Sequence, residues 1–178
     1  MKKKLFIFLI LLMLPLTSIA KGETDTQGNS IQERYEFTGA LDVRIHSSEE
    51  KLHPPAELLL VDQHGRKIGH NPLTNKTYTE IPHAYYEEES ISDAVSGMPG
   101  PVTKIIHIRN PINGEYRLKV IGMESSAYDL EIRGYDCQMN PSHEKFLNEK
   151  ILKNSEQEYA IQYTNKKGSK IKVTPIIK

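Results

Sequence analysis

A run of tyrosines and acidic residues in the middle of the chain has the side chains best suited to bind a ligand. Exposed tyrosine rings stack on sugars or anchor a protein partner, and carboxylates supply the hard oxygen ligands that Ca²⁺ prefers. The alternative is structural: one tyrosine fills the edge of the core while the acids form a solvated loop. We predict ligand binding, with Ca²⁺ as the one candidate cofactor, at these residues of the 83–93 loop: Tyr85, Tyr86, Glu87, Glu88, Glu89 and Asp93.

Sequence motifs for catalysis are missing. Ser96-Gly97 lacks the leading glycine of a nucleophile elbow. None of the seven histidines belongs to a His-Glu-x-x-His zinc pair. Adjacent acids such as Glu87 to Glu89 rarely sit on opposite sides of a sugar, as glycosidases require. We therefore expect a protein that is not an enzyme, with no catalytic residue and no metal ligand.

The single cysteine, Cys137, excludes a disulfide within the chain. The fold must therefore be held by packing alone. We expect Cys137 to be a free and partly buried thiol, and a bridge to a second chain is the alternative.

The first twenty residues have the pattern of a secretory signal peptide. Lys2, Lys3 and Lys4 precede an apolar run over residues 5–16, and Ser18-Ile19-Ala20 is a small-x-small cleavage triplet. The apolar run is shorter than the roughly 20 residues that span a bilayer. We predict cleavage after residue 20 and a periplasmic or extracellular protein with no membrane span after cleavage.

The remaining chain divides into a short linker and one domain. Residues 21–34 are polar and rich in glycine, serine and threonine, which favours a flexible linker. Residues 35–178 are predicted to form a single domain. Without the three lysines of the signal the formal net charge is slightly negative. This argues against nucleic acid as a partner, because such binding needs a basic face. A protein or a glycan remains as the partner.

Apolar residues that alternate with polar ones predict several strands, since successive side chains of a strand point to opposite faces. Residues 56–61 are apolar except for Glu57, which is typical of a central strand, and Gly65 allows the turn that follows. The Asn113-Gly114 pair predicts a tight hairpin within a three-stranded meander. The alternating stretches are residues 41–45, 106–108, 116–120, 128–132, 159–163 and 171–173.

Two stretches lack a clear period. Residues 66–101 are rich in proline, glycine and charge, which indicates one long loop with at most a short strand. Residues 136–156 are ambiguous, because Phe146, Leu147, Ile151 and Leu152 could mark a weak helical face. The sequence as a whole predicts an all-β, jelly-roll-like antiparallel sandwich of about seven or eight strands with little helix.

Several segments resemble those of uncharacterised bacterial secreted proteins. Residues 55–69 read PAELLLVDQHGRKIG, and residues 71–82 read NPLTNKTYTEIP. Residues 113–122, NGEYRLKVIG, are similar to the Gly-x-Tyr-x-Leu-x-Val strand of the prepeptidase C-terminal (PPC-like) type of β-sandwich. The resemblance covers about residues 40–175. It implies a jelly-roll-like sandwich without a defined activity, and it carries no catalytic residue.

Two functions follow as expectations. The first is a secreted or periplasmic non-catalytic β-sandwich that serves as a binding or interaction module, on the basis of the export signal and the lack of catalytic motifs. The second is a carbohydrate-binding module, aided by Ca²⁺, that uses the 83–93 loop.

Overall fold

Alternating apolar and polar residues build eleven strands in the computed structural model, which describes residues 36–49, 51–90 and 100–177. The strands are β1 Ala40–Ser47, β2 Ala56–Val61, β3 Lys67–Asn71, β4 Lys76–Thr79, β5 Ala84–Ser90, β6 Val102–Arg109, β7 Gly114–Gly122, β8 Ser126–Tyr135, β9 Pro141–Ile151, β10 Glu156–Tyr163 and β11 Lys172–Ile176. The predicted signal peptide, the predicted linker and Asp93 lie outside the described residues.

The strands form two antiparallel sheets that pack as a sandwich. The five-stranded sheet has the order β5-β6-β1-β8-β9, and the six-stranded sheet has the order β11-β10-β7-β2-β3-β4. The predicted all-β sandwich is therefore confirmed, with eleven strands where about seven or eight were expected. No helix occurs in the described ranges, and so none of them has a helix that could cross a bilayer.

The core lies where the inward faces of the two sheets meet. Strand β1 contributes Leu41, Val43 and Ile45, which are fully buried. Strand β2 contributes Leu58 and Leu60, and it lies between β7 and β3 as predicted for a central strand. The predicted pairing of the terminal strands is also confirmed, because β10 and β11 form an antiparallel hairpin.

The predicted meander of β6, β7 and β8 is wrong. Strand β7 pairs with β10 and β2 in one sheet, whereas β6 and β8 flank β1 in the other. Gly114 does not form a two-residue hairpin turn. Its φ is 141°, and a Cβ there would lie 2.2 Å from the side-chain oxygen of Gln63, so the glycine serves a close approach between segments.

The six apolar side chains of the alternating stretches 116–120 and 128–132 share one core. They reach it from opposite sheets, because β7 belongs to the six-stranded sheet and β8 to the five-stranded sheet. The six buried residues are Tyr116, Leu118, Val120, Tyr128, Leu130 and Ile132.

The predicted loop over residues 66–101 is wrong in its described part, which contains β3, β4 and β5. Pro72 lies between β3 and β4, and Pro82 lies between β4 and β5. Asn75 and His83 adopt positive φ values of 49° and 55° in the connections, a conformation in which asparagine and histidine are over-represented. Short strands with a solvated face lack the long apolar alternation that marks a strand in sequence.

The ambiguous stretch forms β9, and a β-bulge explains its apparent helical spacing. Leu130 pairs with Phe146 and Tyr128 pairs with Glu149, so β9 contains one extra residue at this point. The extra residue shifts the alternation, so that Phe146 and Ile151 both contact the core although they are five positions apart.

A buried carboxylate, Asp136, connects two turns at one end of the sandwich. Its side chain accepts hydrogen bonds from the backbone N–H groups of Gln138, Asn140 and Gly168, at 2.8, 2.9 and 2.7 Å. The side-chain amide of Asn140, followed by the Gly168 N–H, holds the pKa of Asp136 well below its usual range. The ionised form therefore stabilises the fold.

Replacing Leu118 with alanine tests the core assignment of β7. The change removes buried methyl groups and leaves a cavity, so we expect the free energy of unfolding to fall by about 2–5 kcal/mol. Arg117→Ala is the matched control: its side chain is 64% exposed, and we expect a loss below about 0.5 kcal/mol. Urea melts measure both changes, and equal losses would contradict the inward orientation of Leu118.

Replacing Asp136 with asparagine tests the role of its charge. Because the folded-state pKa is lowered, the stabilisation is present above the unfolded-state pKa of about 4 and is lost as pH falls through the folded-state value. The difference in unfolding free energy between wild type and Asp136→Asn should therefore be largest near neutral pH and shrink in acid. Urea melts over this pH range measure it, and a constant difference would contradict the assignment.

Candidate functional site: two sides of strand β5

Five of the six predicted site residues lie on β5, an edge strand of the five-stranded sheet. They do not form one converging loop, because successive side chains of a strand point to opposite sides of the sheet. Tyr86 pairs with Ile106 and Glu88 with Lys104, on the side of the sheet that carries core residues. Tyr85, Glu87 and Glu89 lie on the opposite side, which we call the outer face.

Tyr85 is the aromatic centre of the outer face. Its ring stacks on the imidazole of His107, with 4.8 Å between centroids and 29° between planes. The residue is still 47% exposed. Burial, followed by the charge of Glu87, raises the pKa of Tyr85, so it stays a neutral phenol at physiological pH.

A buried carboxylate on the neighbouring strand holds the stack in place. His107 Nδ1 contacts a carboxylate oxygen of Asp42 on the neighbouring strand β1, and Asp42 is 7% exposed. Carboxylate contact orients the imidazole ring, and the ring in turn supports Tyr85. The outer face therefore presents an aromatic surface whose position is set before any ligand arrives.

Charges of both signs surround this aromatic surface. Arg44 lies 3.8 Å from Glu89, and its buried Nε has no hydrogen-bond partner among the described residues. Farther across the sheet, Glu131 accepts a hydrogen bond from Arg133 at 2.7 Å and lies 3.2 Å from Lys145. The outer face thus mixes acidic and basic groups.

The other side of β5 contributes to a buried polar cluster that the sequence did not predict. Glu57, on β2 of the six-stranded sheet, contacts Lys104 Nζ and accepts a hydrogen bond from the Tyr86 hydroxyl. Glu57 and Lys104 are 7% and 3% exposed. Two features of the sequence point to this cluster. Glu57 is the one charged residue in an apolar run, and Lys104 has the two-residue spacing that places it on the same side of its strand as Ile106 and Ile108.

The remaining predictions for the site have mixed outcomes. The expectation that Cys137 is partly buried is wrong, because this residue lies exposed in the turn after β8. Asp93 is outside the described residues, and its role stays a prediction. In the described ranges, no group of three or more acidic, histidine or cysteine residues is placed to hold a metal ion.

Two surface clefts contain none of the tyrosines and acids of β5. One, of about 300 Å³, is lined by Phe146, Tyr159 and Pro175 among others. The other, of about 210 Å³, includes Arg66, Ile81 and Tyr116. The exposed Tyr85 ring, with Glu87 and Glu89 on the same side of β5, lies in neither cleft.

Comparisons with protein-family models, with curated proteins and with solved structures find no match to this chain.

Removing the carboxylate of Asp42 tests the support of the aromatic surface. Asp42→Ala leaves a partly buried imidazole without its acceptor, and we expect a loss of about 1–3 kcal/mol in unfolding free energy. Glu87→Ala, on the exposed side of β5, should cost less than about 0.5 kcal/mol. Denaturant melts compare the two variants, and equal losses would show that the Asp42 contact does not hold His107 in place.

Proposed function

We propose that this chain is an exported, non-catalytic β-sandwich module that binds a partner through the outer face of its five-stranded sheet. The observation that carries this proposal is the fixed and half-exposed Tyr85 ring, stacked on His107 and supported by Asp42. The signal-like first twenty residues support export.

A pre-positioned aromatic side chain suits binding for a thermodynamic reason. Ordering a mobile side chain at an interface costs about 0.5–1.5 kcal/mol, and a ring that is already held avoids most of that loss. Tyrosine also offers an apolar ring together with a polar hydroxyl, which is why it is enriched at interfaces. The Tyr85 surface therefore needs little reorganisation to accept a ligand.

A protein partner fits the charge pattern of the outer face. Arg44, Arg133 and Lys145 lie beside Glu89 and Glu131, so the face carries neither a uniformly basic nor a uniformly acidic field. Mixed charges around an aromatic centre give orientation and partner selection through electrostatic complementarity. The resemblance to PPC-like sandwiches, which have no defined activity, also supports binding over catalysis.

A carbohydrate is the second candidate ligand, because an open, half-exposed tyrosine ring can stack on a sugar. Glu87 and Glu89 share the outer face with Tyr85 and could accept hydrogen bonds from sugar hydroxyls or contact a bridging Ca²⁺. Glu88 belongs to the other side of the strand and would not take part. This version keeps the predicted ligand-binding role for Tyr85, Glu87 and Glu89.

Replacing Tyr85 with alanine tests both versions. We expect binding to fall at least tenfold, since removing an aromatic anchor at the centre of an interface costs about 2 kcal/mol or more. Tyr78→Ala, on β4 of the six-stranded sheet, is the matched control and should keep wild-type affinity. Binding is measured on a glycan array with and without EDTA, and by cross-linking to envelope proteins of the producing cell.

The outcomes separate the candidates. Glycan binding that Tyr85→Ala abolishes would favour the carbohydrate module, and sensitivity to EDTA would add Ca²⁺ as a cofactor. Cross-linking to a protein that requires Tyr85, with no glycan bound, would favour the protein-binding module. Retained binding in Tyr85→Ala, or turnover of ester, glycoside, phosphate or peptide substrates, would contradict the proposal.

A further inference from the structure

Four side chains from both sheets converge on the buried Lys104 Nζ and Glu57 carboxylate, and one of the four, Glu88, is itself 53% exposed. Lys104 Nζ, from β6, contacts the Glu57 carboxylate of β2, and the other oxygen of that carboxylate accepts a hydrogen bond from the Tyr86 hydroxyl. The side chains of Lys104 and Glu57 are only 3% and 9% exposed. A carboxylate oxygen of Glu88 lies 3.5 Å from the same Nζ.

This set contains the groups that amide formation requires. Lys104 offers a nitrogen nucleophile and Glu57 offers a carboxyl carbon one bond away from the oxygen that Nζ contacts. Tyr86 offers a hydrogen-bond donor to the carboxyl group, and Glu88 offers a base beside the nitrogen. Nucleophile, electrophile, donor and base within reach of one another are the geometric criteria for a reactive site.

We propose that Lys104 and Glu57 condense to an intramolecular isopeptide bond that joins β6 of one sheet to β2 of the other. The reaction needs no cofactor and no oxidant. Its substrates are two side chains of this chain, and its only by-product is water.

A proton passes from the ammonium group of Lys104 to the carboxylate of Glu57, which leaves a neutral amine and a neutral acid. The lone pair of Nζ attacks Cδ of Glu57, while Glu88 accepts a proton from the nitrogen. That proton is returned to a hydroxyl oxygen on Cδ, the C–O bond breaks, and water leaves as the amide forms.

Tyr86 stabilises the intermediate of this reaction. When Nζ attacks, negative charge develops on an oxygen of Glu57, and a fixed hydrogen-bond donor there lowers the barrier. Burial, followed by the hydrogen bond to Glu57, raises the pKa of Tyr86 far above its usual range, so the hydroxyl keeps its proton and remains a donor.

Burial supplies the driving force. Two charges removed from water incur a large desolvation penalty that their mutual attraction often fails to repay. In bulk water hydration of the separate ions opposes condensation, but the buried pair of Lys104 and Glu57 has lost most of that hydration. An amide replaces both charges with one neutral group.

The bond would cross-link a chain that cannot use a disulfide for the purpose. Cys137 is the single cysteine, so a covalent link between the sheets must come from other side chains. Joining residues 57 and 104 closes a long loop of the unfolded chain and lowers its conformational entropy, as a disulfide of the same span does.

Mass spectrometry of the purified full chain tests the proposal. After the N-terminus is determined, we expect the wild-type intact mass to be lower than the sequence mass by one water molecule. Tryptic digestion should yield a branched peptide that contains both residue 57 and residue 104, without cleavage after Lys104. Lys104→Arg is the matched control, because the guanidinium keeps the positive charge beside Glu57 and Glu88 but is too weak a nucleophile to condense.

The control must be folded, as judged by circular dichroism, and should have the full sequence mass. A folded wild-type protein with the full sequence mass would overturn the proposal. A loss of water whose branched or modified peptide does not join residues 57 and 104 would overturn it as well. These readouts are independent of any ligand, so they stand whether or not the outer face binds a partner.

Discussion

Burial of the inward-facing side chains of two opposed sheets is the interaction on which the rest of this structure depends. The chain crosses repeatedly from one sheet to the other, as it does from β6 to β7 and from β7 to β8. Each crossing places consecutive strands in opposite sheets, so Tyr128 of β8 reaches across the core and its hydroxyl lies 2.8 Å from that of Tyr159 on β10. With one cysteine, no internal disulfide can replace this packing.

The packing also explains how one short strand serves two purposes. Strand β5 is at the edge of its sheet, and alternation sends Tyr85 to the outer face and Tyr86 toward Glu57 of the other sheet. The same backbone therefore holds a half-exposed aromatic surface and a polar contact between the sheets. Tyr85 is supported by His107 and Asp42, which are held by their own places on β6 and β1.

The sequence predicted the strands whose apolar residues alternate without interruption. Residues 41–45, 116–120 and 128–132 are strands, and their apolar side chains face the core, because period-two alternation reports the face of each residue. Alternation does not report the partner strand, and for this reason the meander was predicted wrongly. Strands β3 to β5 were not predicted because prolines interrupt this part of the sequence. Strand β9 was not predicted because the bulge opposite Asp129 shifts its alternation.

The candidate site was partly predictable, because local sequence patterns indicate exposure but do not indicate which strands pair. Tyr85 could be found, because adjacent tyrosines and acids in a polar stretch indicate an exposed surface. Its supports could not be found: His107 and Asp42 are 65 positions apart, and Lys104 and Glu57 are 47 apart. Such contacts follow from strand pairing and sheet packing, which local sequence patterns do not encode.

Thiol accessibility tests whether the two sides of β5 face different environments. Single cysteines at positions 84, 85, 86 and 87, in a Cys137→Ser background, are modified by a water-soluble maleimide in the folded protein. The half-buried positions Ala84 and Tyr86 should react slowly, and the exposed positions Tyr85 and Glu87 should react fast. Equal rates at all four positions would show that this segment is a solvated loop and would contradict the account.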